Sequence, residues 1–290
     1  MKMKTLLALL LVGVLTFAVG CQATESGTPQ SDTSGEAGTV TLGYVSWDSE
    51  IASTNVMKVV LEDLGYEVEL MDVSAALLFQ GVAEGDFDLT TAAWLPTTHR
   101  DYMNEYGDSL DDLGPSLTGT RIGLVVPAFM DINSIEDLAD SEYADSQIIG
   151  IDPGAGIMQL SKTVIEEYEL DYELLEGSDA AMTAALSDAI KFEEEVIVTG
   201  WTPHWKFAKW DIKYLEDPQG IYGDEEFIHT IARQGLESDM PEVYQVADNF
   251  NWTPDDMAKV MVSISEGTDP EEAAREWVSA NQDTVSEWTK

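Results

Sequence analysis

The sequence predicts an α/β protein of two lobes, each a central, mainly parallel sheet flanked by helices, with a hinge of two crossings between them. Three observations lead there. Residues 39–93 run strand, helix, strand, helix, strand, an order that builds a largely parallel sheet with helices on both faces. A short apolar strand, residues 121–126, stops at Pro127 and suits a passage out of that first lobe. A second, residues 227–232, suits the return. The division expected from these is lobe 1 at residues 39–125 and 228–290, and lobe 2 at residues 126–227. The chain has 290 residues, enough for two lobes of ordinary size.

The chain opens on Lys2 and Lys4, then an apolar run over residues 6–19, then Gly20-Cys21. That run is too short to span a membrane and reads as a secretory signal peptide, residues 1–20. Phe17-Ala18-Val19-Gly20-Cys21 resembles a bacterial lipobox, with Ala18 where that pattern usually carries Leu. Lipidation of Cys21, the only cysteine, would anchor a soluble domain to the outer face of the cell membrane. A free cysteine behind a plain signal peptide is the other reading. Residues 21–38, rich in Ser, Thr, Gly and Glu, read as a flexible tether reaching roughly 20–25 Å.

In the first lobe, residues 39–47 alternate apolar and polar side chains as a strand does. Asp48 or Ser49 can cap the next helix, whose core stripe is Met57, Val60, Leu61 and Leu64 and which Gly65 stops. Residues 67–73 form a second strand. A helix from Ser74 to Gly85 and a third strand, residues 87–93, follow. Pro96 then holds Leu95 in an extended or turn geometry, and Thr97 or Thr98 can cap a following helix. In the second lobe, Ser134 caps a short helix. A strand at residues 148–151 runs into Asp152-Pro153-Gly154-Ala155-Gly156-Ile157-Met158 and a helix through Tyr168. Ser178 or Asp179 caps a helix to Phe192. A strand at residues 195–199 ends in Gly200-Trp201-Thr202-Pro203-His204-Trp205, where Thr202 can cap what comes next. After the return, Pro241, Thr253 with Pro254, and Thr268 or Asp269 with Pro270 each head a helix. Trp252, Trp277 and Trp288 fall at helical positions and read as packing residues.

The chain carries 55 acidic and 14 basic residues, a formal net charge of −41. Such a surface excludes nucleic acid as a partner, because phosphate binding needs a basic face. It suits either an exported protein kept soluble in high salt or an ordinary acidic one.

Trp47, Trp94 and Trp201 each stand at the carboxyl end of a strand, the edge where open α/β sheets bind ligands. His99 follows Trp94 by five residues. The glycines of residues 154–156 sit at a strand-to-helix turn, where free N–H groups and the helix dipole favour an anion. The turn has no Lys or Arg and lacks the P-loop pattern, so a carboxylate suits it better than a phosphate. Together these fit a zwitterion with a quaternary ammonium at one end and a carboxylate at the other. A quaternary ammonium has no N–H to donate, so aromatic faces hold it better than a carboxylate does, each ring contributing roughly 0.5–2 kcal/mol. Three rings and the carboxylate bonds suffice for micromolar binding, about −8 kcal/mol.

Gly43-Tyr44-Val45-Ser46-Trp47-Asp48, Ala93-Trp94-Leu95-Pro96-Thr97-Thr98-His99, the residue 151–158 motif and Gly200-Trp201-Thr202-Pro203-His204-Trp205 resemble those of the glycine betaine/proline betaine substrate-binding proteins of ABC importers, the OpuAC type. The resemblance covers the whole chain after the tether. It implies a type II periplasmic-binding-protein fold that captures glycine betaine, and proline betaine, for osmoprotection and delivers it to an ABC permease and ATPase complex. It implies a trimethylammonium cage of Trp47, Trp94 and Trp201, with the carboxylate held by the backbone N–H groups of Gly156 and Ile157 and by His99. His204 and Trp205 are expected to support the turn rather than touch ligand. No catalytic residue, metal ligand or cofactor is implied.

Three other readings compete. Carnitine, choline or dimethylsulfoniopropionate would also suit the cage, although choline would leave the carboxylate site unused. An exported hydrolase built on Asp48, Asp152 or His99 finds no Gly-x-Ser-x-Gly pattern. His99, His204 and His229 show no recognisable metal-ligand spacing. A sensory surface protein would bind the same ligand and feed no transporter.

Overall fold

The computed structural model describes residues 38–139 and 142–290. The signal segment, Cys21 and all of the tether before Gly38 lie outside the described residues. The chain order is β1 (Thr39–Tyr44), α1 (Asp48–Asp63), β2 (Glu67–Asp72), α2 (Ala75–Glu84), β3 (Leu89–Leu95), α3 (Arg100–Tyr106) and the long β4 (Leu110–Pro127). Next come β5 (Gln147–Ile149), α4 (Gly156–Glu167), β6 (Glu173–Leu175), α5 (Asp179–Phe192), β7 (Val198–Thr202), α6 (Lys206–Lys209) and β8 (Ile212–Tyr214). The return strand β9 (Glu226–Arg233) leads to α7 (Leu236–Asp239), α8 (Pro241–Asn249), α9 (Pro254–Ser265), α10 (Pro270–Ala280) and α11 (Gln282–Trp288).

The strands lie in the order β2-β1-β3-β9-β4-β7-β5-β6, with β8 beside β4. Each flank is parallel, β1 with β2 and β3 on one side and β5 with β6 and β7 on the other, as βαβ connections require. The centre is antiparallel, because the crossing strands β4 and β9 run against their neighbours. The sheet is therefore mixed, with β4 serving both halves. Leu110 through Thr120 pairs with β9, and Arg121 through Val125 pairs with β7. The first half of β4 is a strand that the sequence reading leaves out. Register shifts accommodate Pro115, which cannot donate to a ladder.

Helix ends follow local chemistry. Gly85 closes α2 in the left-handed region at φ 81°. Ser178 caps α5 by accepting from the Ala181 N–H, and Thr253 and Asp269 cap α9 and α10 ahead of Pro254 and Pro270. Several expected caps are corrected. Trp47, not Asp48 or Ser49, is the N-cap of α1, without a side-chain bond. His99 precedes α3, and neither Thr97 nor Thr98 caps it. The Thr202 hydroxyl instead meets the Tyr214 hydroxyl at 2.7 Å. The C-terminal tryptophans pack together as expected, although Trp252 lies just before α9 and not on a helix: Trp277 stacks on Trp288 with ring centroids 5.9 Å apart, and Trp252 meets Trp277 edge-on at 5.5 Å. Among the described residues, no helix is long and apolar enough to cross a membrane.

Candidate ligand-binding site

Each strand end delivers one indole. The chain leaves β1 through Val45-Ser46 and reaches Trp47, whose carbonyl accepts the first N–H groups of α1, Glu50 at 2.9 Å and Ile51 at 2.8 Å. Trp94 is the penultimate residue of β3, and Trp201 that of β7, paired with Ile122 of β4. All three are buried. The Trp201 Nε1 has no hydrogen-bond partner. The Trp47 Nε1–H donates to Asp152 Oδ2 at 3.0 Å, across from the first lobe to the second.

His99 is locked to the strand it follows. Its N–H donates to the Trp94 carbonyl at 2.9 Å, and its ring Nδ1 accepts from the Trp94 N–H at 3.0 Å. With Nδ1 accepting, the neutral ring carries its proton on Nε2. Phe79 meets the ring edge-on at 5.2 Å, and Trp47 stacks 6.2 Å away. Burial holds the His99 pKa down at about 3, against the pull of the Ala92 carbonyl, so the ring is a neutral donor at physiological pH.

The turn into α4 is shaped by an Ala155 N–H bond to the Asp152 carbonyl at 2.9 Å. The bonds that return along the helix start at Met158, whose N–H reaches Ala155 O at 3.0 Å. The amides of Gly156 and Ile157 are thus among the first-turn N–H groups that no α-helix satisfies internally. Gly156 lies directly against Thr98 of the other lobe: a Cβ built on it would stand 2.0 Å from the Thr98 carbonyl oxygen. Thr98 is itself fixed by the buried carboxylate of Glu226. That carboxylate accepts the Thr97 N–H at 2.6 Å, the Thr98 N–H at 2.7 Å and the Thr98 hydroxyl. Tyr102 adds a bond across the lobes to the Gly154 carbonyl, 2.7 Å.

Trp47, Trp94, Trp201, His99, Gly156 and Ile157 all line one cavity. Sequence reasoning placed these six and missed the rest of the wall. Ile151 and Ala155 lie inside a motif it quoted, whereas Ile122 is reached only through its pairing with Trp201. None of the lining residues is an Asp, Glu, Lys or Arg. His204 and Trp205 stand behind Trp201 and do not line the cavity; His204 meets the Trp201 ring at 5.0 Å. Lys206 is fully buried, with its Nζ 4.3 Å over the Trp201 ring.

Two α/β lobes that close on an uncharged cavity, walled by indoles and ending on a helix N-terminus, define a solute-binding protein of the type II periplasmic fold. The chain belongs to the OpuAC family, described as the substrate binding domain of the ABC-type glycine betaine transport system, which matches residues 38–280. A curated relative, the glycine betaine/carnitine transport binding protein GbuC of Listeria monocytogenes, is 50% identical over 151 residues. That match covers 51% of this chain and spans only half, 50%, of the relative's own length. Lactococcal OpuAC, solved in a closed-liganded conformation complexed with glycine betaine, superposes with a TM-score of 0.84 at 45% identity. The superposition covers 87% of this chain and 99% of that one. The glycine/betaine/L-proline-binding protein ProX of Borrelia burgdorferi superposes with a TM-score of 0.84 at 37% identity, covering 87% and 97% of the two chains.

Proposed function

We propose that this chain captures glycine betaine, and proline betaine, outside the cytoplasm and delivers it to an ABC permease and ATPase complex. The trimethylammonium group sits among Trp47, Trp94 and Trp201. The carboxylate accepts from the Gly156 and Ile157 N–H groups and from the His99 Nε2–H. The observation that carries this reading is the cavity itself, with three indoles from two lobes, a helix N-terminus and no formally charged side chain in its wall. A cation excluded from water there is held by ring quadrupoles and methyl burial rather than by a counter-ion. Lipidation at Cys21 would tether the domain to the outer face of the membrane, and closure would turn on the two crossings, through β4 and into β9. The Listeria relative carries glycine betaine in its name and lactococcal OpuAC was solved complexed with it, which supports the same ligand.

Calorimetric titration with glycine betaine, with carnitine and choline in parallel, tests the reading. One-to-one betaine binding at micromolar affinity or better, with choline much weaker, is the expected result. No betaine heat from a folded sample would reject it.

Removal of the His99 ring separates the two ends of the ligand. His99→Ala should weaken betaine roughly 10–100-fold, the worth of a hydrogen bond to a charged group. Choline, which has no carboxylate, should lose far less. The ratio of the two affinities is the quantity to read, because the substitution also frees the Trp94 N–H. Equal losses for both ligands would reject the assigned polarity.

A further inference from the structure

The turn between Trp47 and α1 carries a second feature that faces away from the cavity. Asp48, the first residue of α1 in lobe 1, meets three residues of lobe 2. Its backbone N–H donates to Asp179 Oδ2 at 3.0 Å, and its carboxylate accepts from the Trp205 Nε1–H. The His204 Nε2 lies 3.5 Å from Asp48 Oδ2 and 3.4 Å from Asp179 Oδ1. His204 Nδ1 accepts the Lys206 N–H at 3.2 Å, so the neutral ring presents its single proton on Nε2 to both carboxylates. Asp179, His204 and Lys206 are all buried.

The charges do not balance. Two carboxylates, one from each lobe, face one ammonium, that of Lys206. His204 adds none, because burial and the nearby Lys206 charge hold its pKa at about 4 despite Asp179. Glu50, two residues further along α1, is fully buried, and burial pushes it well above its ordinary value. Like charges brought together, one buried and the other largely so, cannot both stay ionised at ordinary cost, and one site of such a pair takes the proton. We infer that Asp48 and Asp179 form a proton-sensitive latch between the lobes, with Asp48 as a positioning residue whose protonation favours the closed arrangement. This rests on the reading that ligand binding closes the lobes.

The direction follows from which carboxyl yields. Burial and the Asp179 charge raise Asp48 to about 6, against the Trp205 bond and Lys206. Asp179 goes the other way: burial works against its charge, but the His204 bond, the Lys206 charge and the Asp48 N–H hold it below the ordinary value. When the lobes part, Asp48 returns to water and to an ordinary value near 3.8. The closed arrangement therefore binds the proton more tightly than the open one. Closure is helped as pH falls through about 6 and gains nothing from this group at higher pH. The carboxylate of a betaine stays ionised throughout that window, since α-carboxyl groups titrate near 3.5.

The test is the glycine betaine affinity of the wild type, Asp48→Asn and Asp152→Asn between about pH 7.5 and about pH 5 at constant ionic strength. The wild type should bind about ten-fold more tightly at the lower pH. Asp48→Asn mimics the protonated side chain: it should show no slope and bind more tightly than the wild type at the upper pH. Asp152→Asn removes another carboxylate that bonds across the lobes, to the Trp47 Nε1–H, and should keep the wild-type slope. A flat wild-type profile, or a slope that survives in Asp48→Asn, overturns the latch. Small-angle scattering of the ligand-free proteins reads closure directly. The radius of gyration should fall with pH in the wild type and not in Asp48→Asn. Failure of betaine to bind at every pH would strike the proposed ligand instead, and the scattering arm alone would then decide the latch, with an unchanged wild-type radius rejecting it.

Discussion

Replacing Gly156 with alanine should abolish ligand binding while leaving the protein folded. A Cβ at this position would stand 2.0 Å from the Thr98 carbonyl oxygen and 2.7 Å from Thr98 Cγ2. The contact with the oxygen is more than 1 Å inside ordinary contact distance, and a close-packed interface has no slack of that size. Thr98 cannot retreat, because Glu226 holds its N–H and its hydroxyl from behind. The clash exists only when the lobes meet, so it acts on closure and not on either sheet. Alanine is a better helix former than glycine, and the opened protein should melt at or slightly above the wild-type temperature. Calorimetry should show betaine binding at least about 100-fold weaker, since a misplacement of about 1 Å at a closing site has that order of cost. Scattering should show no compaction when betaine is added. Wild-type affinity in Gly156→Ala would mean that the lobes need not meet at Thr98 for the ligand to be held.

The second large effect belongs to Trp94. Trp94→Ala should weaken glycine betaine more than about ten-fold, and choline by the same factor. One ring contributes roughly 0.5–2 kcal/mol of cation–π attraction, to which the buried contact with the methyl groups adds. The two ligands share the cation and differ only at the other end, so the loss should not discriminate between them, in contrast to His99→Ala. Trp94→Phe keeps an aromatic face of smaller quadrupole and should fall between the two. Truncating a buried tryptophan also costs about 3–5 kcal/mol of stability, so the titration is run well below the melting temperature of the variant. Unchanged affinity in Trp94→Ala would remove this ring from the cage.

What the sequence made legible were features whose cause is local. A tryptophan at the carboxyl end of an apolar strand, a glycine turn opening a helix, and a Pro behind a capping Thr or Asp each need fewer than ten residues of context. Those residues gave the six cavity positions and the starts of α9 and α10. The features that escaped depend on partners far along the chain. Glu226 organises the Thr97–Thr98 turn from 128 residues away, and nothing around it marks a glutamate that will be buried. Asp48 and Trp205 are 157 residues apart. The first half of β4 reads as a loop, through Asp111, Asp112, Gly114, Pro115 and Gly119. It becomes a strand because β9 lies along it, with register shifts at each point where the local chemistry resists. Lys206 was passed over for a general reason: a lysine on a short helix is expected in water, and only its burial over Trp201 reveals otherwise.

The place of β9 between β3 and β4 has a consequence for how the chain assembles as it is made. When β3 and the first half of β4 have emerged, they cannot pair, because the strand that separates them is more than one hundred residues from synthesis. Everything needed for the second sheet, from Arg121 to Tyr214, arrives as one continuous stretch and can fold at once. The first sheet must wait with an open seam until β9 slides into it. The half of the protein that begins the chain is therefore the last to be completed, and a chain stopped short of β9 would expose two unpaired edges, a state that invites aggregation.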